Sequence, residues 1–248
     1  MGKFQNYDDY ASEYAHTRHA FKWVLLPLIK EAESHTKGST IVEIGCGTGN
    51  YIITLSKELP DYTYKAFDIS VNMLEVAKAR SDIVEFSRSN ADTAFPYSDS
   101  SIDFSFSVDV IHHIENLKTF FQEVGRTLKP NGIFILVTDS EENIRKRSLS
   151  KYFPEILDIE LERYPSIKEL CDTAKVFGIE LLDIKEAEAL IDFNDNFVSS
   201  LERKCSSSMR LIPEEKHRKG MDRIREGKTK GEKWLSSYSV LKYQNKMN

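Results

Sequence analysis

The chain has 248 residues, 40% of them hydrophobic and 29% charged, with a net charge of -5 and a pI of about 5.8. That length suits one large domain with a sizeable core, and the composition excludes disorder and fibrous repeats. The acidic balance disfavours nucleic acid as a partner, and no apolar run approaches the roughly 20 residues that span a bilayer.

Three scattered cysteines (Cys46, Cys171, Cys205), without CxxC or metal spacing, imply free thiols in a reducing, cytoplasmic setting. The opening residues, MGKFQNYDDY, hold no apolar signal core. Residues 1 to about 17 are polar and aromatic, with Tyr7, Tyr10 and Tyr14. From Arg18 to Ser34 apolar residues recur at helical spacing (Phe21, Val24, Leu25, Leu28, Ile29) and predict a helix. A first strand is expected at 40–44. Tyr51, Ile52, Leu55 and Leu59 predict the next helix, stopped by Pro60. Strand two is expected at 62–70, and a helix capped by Ser70 at 71–80. Strand three is expected at 83–91 and strand four at 101–110. A helix at 116–129 ends at Pro130, Asn131 and Gly132, and an apolar strand five covers 132–140. Short apolar strands alternating with helices argue for a parallel sheet covered on both faces. The rhythm then changes. Residues 141–165 read as charged and irregular, a helix at 166–178 closes on Gly178, and strand six is expected at 179–187. A mixed polar stretch at 190–230 holds a helix near 213–226, and a last strand is expected at 234–244.

The stretch IVEIGCGTGN, 41–50, puts Gly45, Gly47 and Gly49 at the end of the first strand, just after Glu43. Glycine is costly inside an element, and one would suffice for a tight turn. Three predict a binding loop, where backbone lies against a ligand at a helix N-terminus. The P-loop spacing is absent, and Asn50 stands where the dinucleotide fingerprint has its third glycine. Glu43 would repel a pyrophosphate and suits a ligand with a positive end; a carboxyl capping the loop backbone is the plainer alternative. Asp68, 19 residues past Gly49, can accept both hydroxyls of a ribose. Asn90, Ala91 and Asp92 end strand three, where an amide or carboxyl can meet the exocyclic amine of adenine. A nucleoside with a cationic, phosphate-free end fits S-adenosylmethionine.

The blocks VEIGCGTG, FDIS followed by Met73, SNADTAFPYSDSSIDF, SVDVIHHIEN and LKPNG occur in this order between residues 38 and 140. In these the chain resembles the class I S-adenosylmethionine-dependent methyltransferases of small-molecule type. The resemblance implies an α/β, Rossmann-like three-layer sandwich. Its seven-stranded, mostly parallel sheet would have an antiparallel last strand inserted beside the fifth. It implies S-adenosyl-L-methionine as cofactor, a small-molecule methyl acceptor, no membrane partner, and a monomer or homodimer. In its terms Glu43 reaches the methionine amino group, while Gly45, Cys46 and Gly47 lie against the cofactor. Asp68 holds the ribose, Ile69 and Met73 flank the adenine, and Asn90, Ala91 and Asp92 meet its edge. Ser107 and Val108 line the methionine part. The segment before the sheet, residues 1–36 of a single domain 1–248, would act as a lid carrying Tyr14 and Arg18 to the cofactor. Residues 141–165 and 190–230 would form caps that select the acceptor.

His112 and His113 are the candidate catalytic residues, as a base or a substrate contact at the rim; packing at a helix start is the alternative. Neighbouring histidines on a helix face different ways and lack a matching carboxylate, so no metal is expected. Methylation of RNA or protein, and cofactor binding without turnover, are the competing functions. A nicotinamide oxidoreductase is disfavoured by Asn50 and Glu43.

Overall fold

The computed structural model describes Tyr14 and residues 19–247. Seven strands form one sheet: β1 (Thr40–Ile44), β2 (Thr63–Asp68), β3 (Glu85–Arg88), β4 (Ile102–Val108), β5 (Leu128–Thr138), β6 (Ile179–Asp192) and β7 (Lys233–Asn245). Their order is β3-β2-β1-β4-β5-β7-β6. The pairs β1–β2, β1–β4, β2–β3 and β4–β5 are parallel, and β7 runs antiparallel to both β5 and β6. The inserted antiparallel last strand is as expected.

Period-two burial splits each central strand between two apolar layers. Ile41, Phe104, Phe106, Ile133 and Ile135 join one cluster, under helices α1 (Lys22–Ala32) and α2 (Asn50–Glu58). Val42, Ile44, Phe134 and Leu136 join the other, under α4 (Leu117–Thr127) and α8 (Ile167–Val176). Helix α3 (Val71–Arg80) lies with the first layer through Leu74. Local chemistry fixes the starts. Ser70, Asn116 and Ser166 each accept the backbone N–H three residues on, which satisfies one orphan donor of α3, α4 and α8. Because α1 buries Val24, Leu25 and Leu28 at 8% exposure or less, this part of the N-terminal segment is scaffold for the sheet.

The stretch 141–165 differs from its expected irregularity. It forms three short helices, α5 (Glu141–Lys146), α6 (Ser148–Tyr152) and α7 (Ile156–Arg163). Each is too short to show periodicity, and its charges are not all solvated, since Arg147 and Glu160 are buried. Strand six runs five residues beyond its expected end at 187, because β7 pairs with it as far as Asp192. Between them lie α9 (Asp195–Glu202), a 3-10 turn at Ser207–Arg210 and α10 (Glu214–Thr229). The two insertions share a third apolar cluster that includes Tyr152, Phe153, Phe193, Met209, Ile224 and Trp234. Tyr152 stacks on Trp234 with centroids 5.9 Å apart.

Gly220 on α10 is set by this packing: a Cβ there would stand 2.1 Å from the Phe153 ring. Alanine is the better helix former by about 1 kcal/mol, yet the clash decides the sign. Gly220→Ala should destabilise the protein by about 1–3 kcal/mol, read from urea unfolding; a neutral or stabilised variant would show that the Phe153 ring can yield.

Candidate functional site

The turn after β1 is built from its own backbone. The N–H groups of Gly45 and Cys46 donate to the Phe67 carbonyl at 2.9 and 3.0 Å, which ties the loop to the end of β2. Gly45 has φ +71°, and a Cβ there would meet the Val110 methyls at 2.7 Å, so the loop lies directly against the turn that follows β4. Gly47 has φ +52°, and among the described residues a Cβ there would meet nothing nearer than the Tyr14 ring at 4.0 Å. Backbone is therefore presented openly at Gly47, with Tyr14 alongside. Arg18 lies outside the described residues.

Two acids stand beneath this loop. Glu43, 2% exposed, accepts the Ile52 N–H at 3.0 Å and so caps the third residue of α2. Burial pushes its carboxyl well above the usual range; the Ile52 bond opposes this and nearby Asp68 adds to it. Asp68 accepts the Gly47 N–H at 2.7 Å through one oxygen and the Ser70 N–H at 2.9 Å through the other. Burial likewise raises the Cys46 thiol, helped by Asp68 and Glu43, so Cys46 packs as a thiol and is a poor nucleophile. Arg80, which the sequence reading passed over, braces the loop from α3 by donating to the Thr48 carbonyl at 2.6 Å and to Asn50 Oδ1 at 2.7 Å.

The other predicted residues fall around the same strand ends. Ile69 is an exposed apolar side chain at 57%, next to Asp68, whereas Met73 is buried at 2%. Asn90 Oδ1 accepts the Asp92 N–H at 2.9 Å, and Ala91 is buried. Asp92 Oδ1 accepts the N–H groups of Glu115 and Asn116 at 2.7 and 2.8 Å, so that oxygen serves the entry to α4. Ser107 and Val108 are the last residues of β4, and Ser107 donates to the Ile44 carbonyl at 3.0 Å.

Beyond β4 the chain makes a 3-10 turn at Ile111–His113. Asp109 before it has φ +57°, a conformation Asp and Asn tolerate better than other side chains. His112 is buried, with Nδ1 3.7 Å from Asp109 Oδ1, and its ring lies 4.0 Å from His113 and 4.3 Å from Tyr164. Tyr164, at the end of α7, donates to Asp109 Oδ1 at 2.7 Å. Arg147 donates to Asp139 at the end of β5 and to Glu160 on α7, and all three are buried. Arg163 lies 3.6 Å from Glu160. Asp109, His112, Arg147, Glu160 and Tyr164 supply polar lining to a cavity whose apolar wall includes Phe21, Phe197, Trp234 and Tyr238. Water-sized spheres have their centres over about 80 Å³ of it, room for several waters. No group of His, Cys, Asp and Glu able to hold a metal occurs among the described residues.

Asp139, Arg147, Glu160, Tyr164 and Trp234 were not among the residues the sequence singled out. Asp139 alone carried a signal, as an acid at the carboxyl end of a parallel strand. Burial, with Asp109 and Glu160 nearby, outweighs the pull of Arg147 and lifts the Asp139 carboxyl to about 7. The folded chain then holds this proton more tightly than the unfolded chain does. Asp139 therefore lowers stability as pH rises from about 4 to 7. The stability of the wild type relative to Asp139→Asn should fall across that window in urea unfolding. A relative stability that grows with pH would mean Arg147 keeps the carboxylate ionised.

Comparison with known proteins agrees with this geometry. Residues 42–136 match the model of a methyltransferase domain, a span from β1 to β5 that holds the glycine loop, Asp68 and the His112 turn. A demethylmenaquinone methyltransferase of Staphylococcus aureus is 28% identical over 138 residues, 54% of this chain and 57% of that protein. The chain thus matches little more than half the length of such relatives. Among solved structures, a methyltransferase assigned to an antibiotic biosynthesis pathway of Anabaena variabilis superposes with a TM-score of 0.68. It is 20% identical and covers 88% of this chain and 96% of its own. The Haloferax volcanii methyltransferase structure solved with the Trm112 activator gives 0.65 at 18% identity, over 100% of both chains. This sheet order and the match over 42–136 give the chain a methyltransferase domain in a Rossmann-like fold.

Proposed function

We propose that the chain transfers a methyl group from S-adenosyl-L-methionine to a small-molecule acceptor held in the cavity beside Asp109. The observation that carries this reading is an adjacency. The glycine loop, open at Gly47, touches through Gly45 the turn whose Asp109 and His112 line the cavity. A ligand on the loop and one in the cavity would meet there.

The residues fit the cofactor. Gly45 and Gly47 offer close backbone approach. Asp68, aligned by two backbone N–H groups, would accept from a ribose diol. Ile69 and Met73 would flank the adenine, with Asn90, Ala91 and the second oxygen of Asp92 at its edge. Ser107 and Val108 would line the methionine part, with Glu43 towards its amino group. Tyr14 and Arg18 would close over it as part of a lid. The two insertions would be the cap that admits the acceptor and keeps water out. Bound there, S-adenosylmethionine supplies an electrophilic methyl group. The protein's own task is to hold a nucleophile in line at near-attack distance and to receive its proton. His112 beside Asp109 is the pair we assign to that proton; His113 lies next to it on the rim. Demethylmenaquinone, named in the relative, belongs in the acceptor screen beside RNA and protein.

Calorimetric titration should give micromolar binding of S-adenosylmethionine and S-adenosylhomocysteine and none of NAD; binding of NAD alone would overturn the reading. Asp68→Ala should weaken S-adenosylmethionine binding by about 1–3 kcal/mol through lost charge-assisted bonds. Unchanged affinity would remove the ribose assignment.

A further inference from the structure

We infer that Arg80 is a positioning residue for the cofactor: by bonding to Thr48 and Asn50 it holds the glycine loop in the shape that receives S-adenosylmethionine. This rests on the reading of the loop as the cofactor site.

The open backbone at Gly47 is held on both sides. Its own N–H donates to Asp68 Oδ2 at 2.7 Å. One residue on, the Thr48 carbonyl accepts from Arg80 Nη1 at 2.6 Å, and the same nitrogen donates to Asn50 Oδ1 at 2.7 Å. Thr48 and Asn50 flank Gly49, whose φ of +77° is left-handed. One guanidinium nitrogen thus bridges the residue at which the loop turns into α2. Both bonds are charge-assisted, because an arginine stays protonated, and such bonds are stronger than neutral ones. The two anchors belong to one unit of the chain. Asp68 ends β2, and Arg80 ends α3, the helix that follows it. Together they fix the loop relative to the carboxylate assigned to the ribose.

Asn50 gains a reason from the same pair. It stands where the dinucleotide fingerprint has glycine, and glycine has no side-chain acceptor to offer Arg80. Asn50 is buried at the first residue of α2. A loop with three glycines has many conformations open to it when nothing holds it. Ligand affinity then falls in proportion to the fraction in the competent shape. Arg80 keeps that fraction high before the ligand arrives.

The test is calorimetry on the full-length protein with S-adenosylhomocysteine as the probe. Binding by the wild type is measured first, and its failure would overturn the proposed function itself. Arg80→Met keeps an apolar stem and loses both bonds; it should weaken binding at least about fivefold. Arg80→Lys, which returns a charged donor, should recover part of that loss. Asn50→Ala should weaken binding at least about threefold, and carries the test if the Arg80 variants do not fold. Joined to Arg80→Met it should add little, since the two residues act as a unit. Smaller losses, a Lys variant no better than the Met variant, or losses that multiply in the double variant would overturn the inference. So would a fall in the urea unfolding midpoint without a fall in affinity, the mark of a bond that serves stability alone.

Discussion

The reversal of strand order between β1 and β4 is the constraint on which the site depends. β2 lies on one side of β1 and β4 on the other, so the chain leaves the ends of β1 and β4 in opposite directions and a crevice opens between them. The glycine loop fills the β1 side of that crevice, and the Asp109–His112 turn fills the β4 side. Asp68 and Asp139 stand at the ends of the flanking strands β2 and β5. The topology therefore gathers four acids, with Glu43 and Asp109, at one edge of one sheet. Elsewhere on the surface the same acids would be solvated and unremarked.

A second constraint holds the insertions over that edge. Arg147 joins the end of β5 to α7 through Asp139 and Glu160. Burying such a set does little for net stability, because desolvation of the ions opposes their attraction. Its effect is on geometry. Removing Arg147 would leave the buried Asp139 and Glu160 without their shared donor, so the helices have one good position. Tyr164 repeats the theme: its hydroxyl on Asp109 and its ring against His112 couple the first insertion to the turn after β4. The apolar cluster beneath α10 then joins the second insertion to the first.

Much of the frame was legible in the sequence because it rests on local signals. Alternating apolar strands, the cap at Ser70, the close of a helix at Gly178, and three glycines after a strand each have a short-range cause. The sheet order followed from the resemblance, not from periodicity. What was not legible depends on distant pairing. Residues 141–165 read as irregular because charged residues suggest solvent, and no local signal says that Arg147 will meet Asp139 and Glu160. Arg80 looks like an ordinary basic residue in a last helical turn, and only folding brings it to Thr48 and Asn50. Asp92 shows the converse. Its place at the end of β3 suggested a ligand contact, and one of its oxygens holds the backbone before α4.

Glu43 explains why the loop, so like a phosphate-binding one, is not built for phosphate. A helix N-terminus attracts anions because its first N–H groups have no partner within the helix. Here one of them, on Ile52, is already taken by the protein's own carboxylate. An incoming phosphate would lose that donor and meet a buried acid behind it, with Asp68 close by. For a ligand with a cationic end the balance reverses. The same buried carboxyl, raised by desolvation, gains the counter-charge that favours its ionised form. On the proposed function, an internal acid stands where a phosphate would, without changing the backbone that carries it.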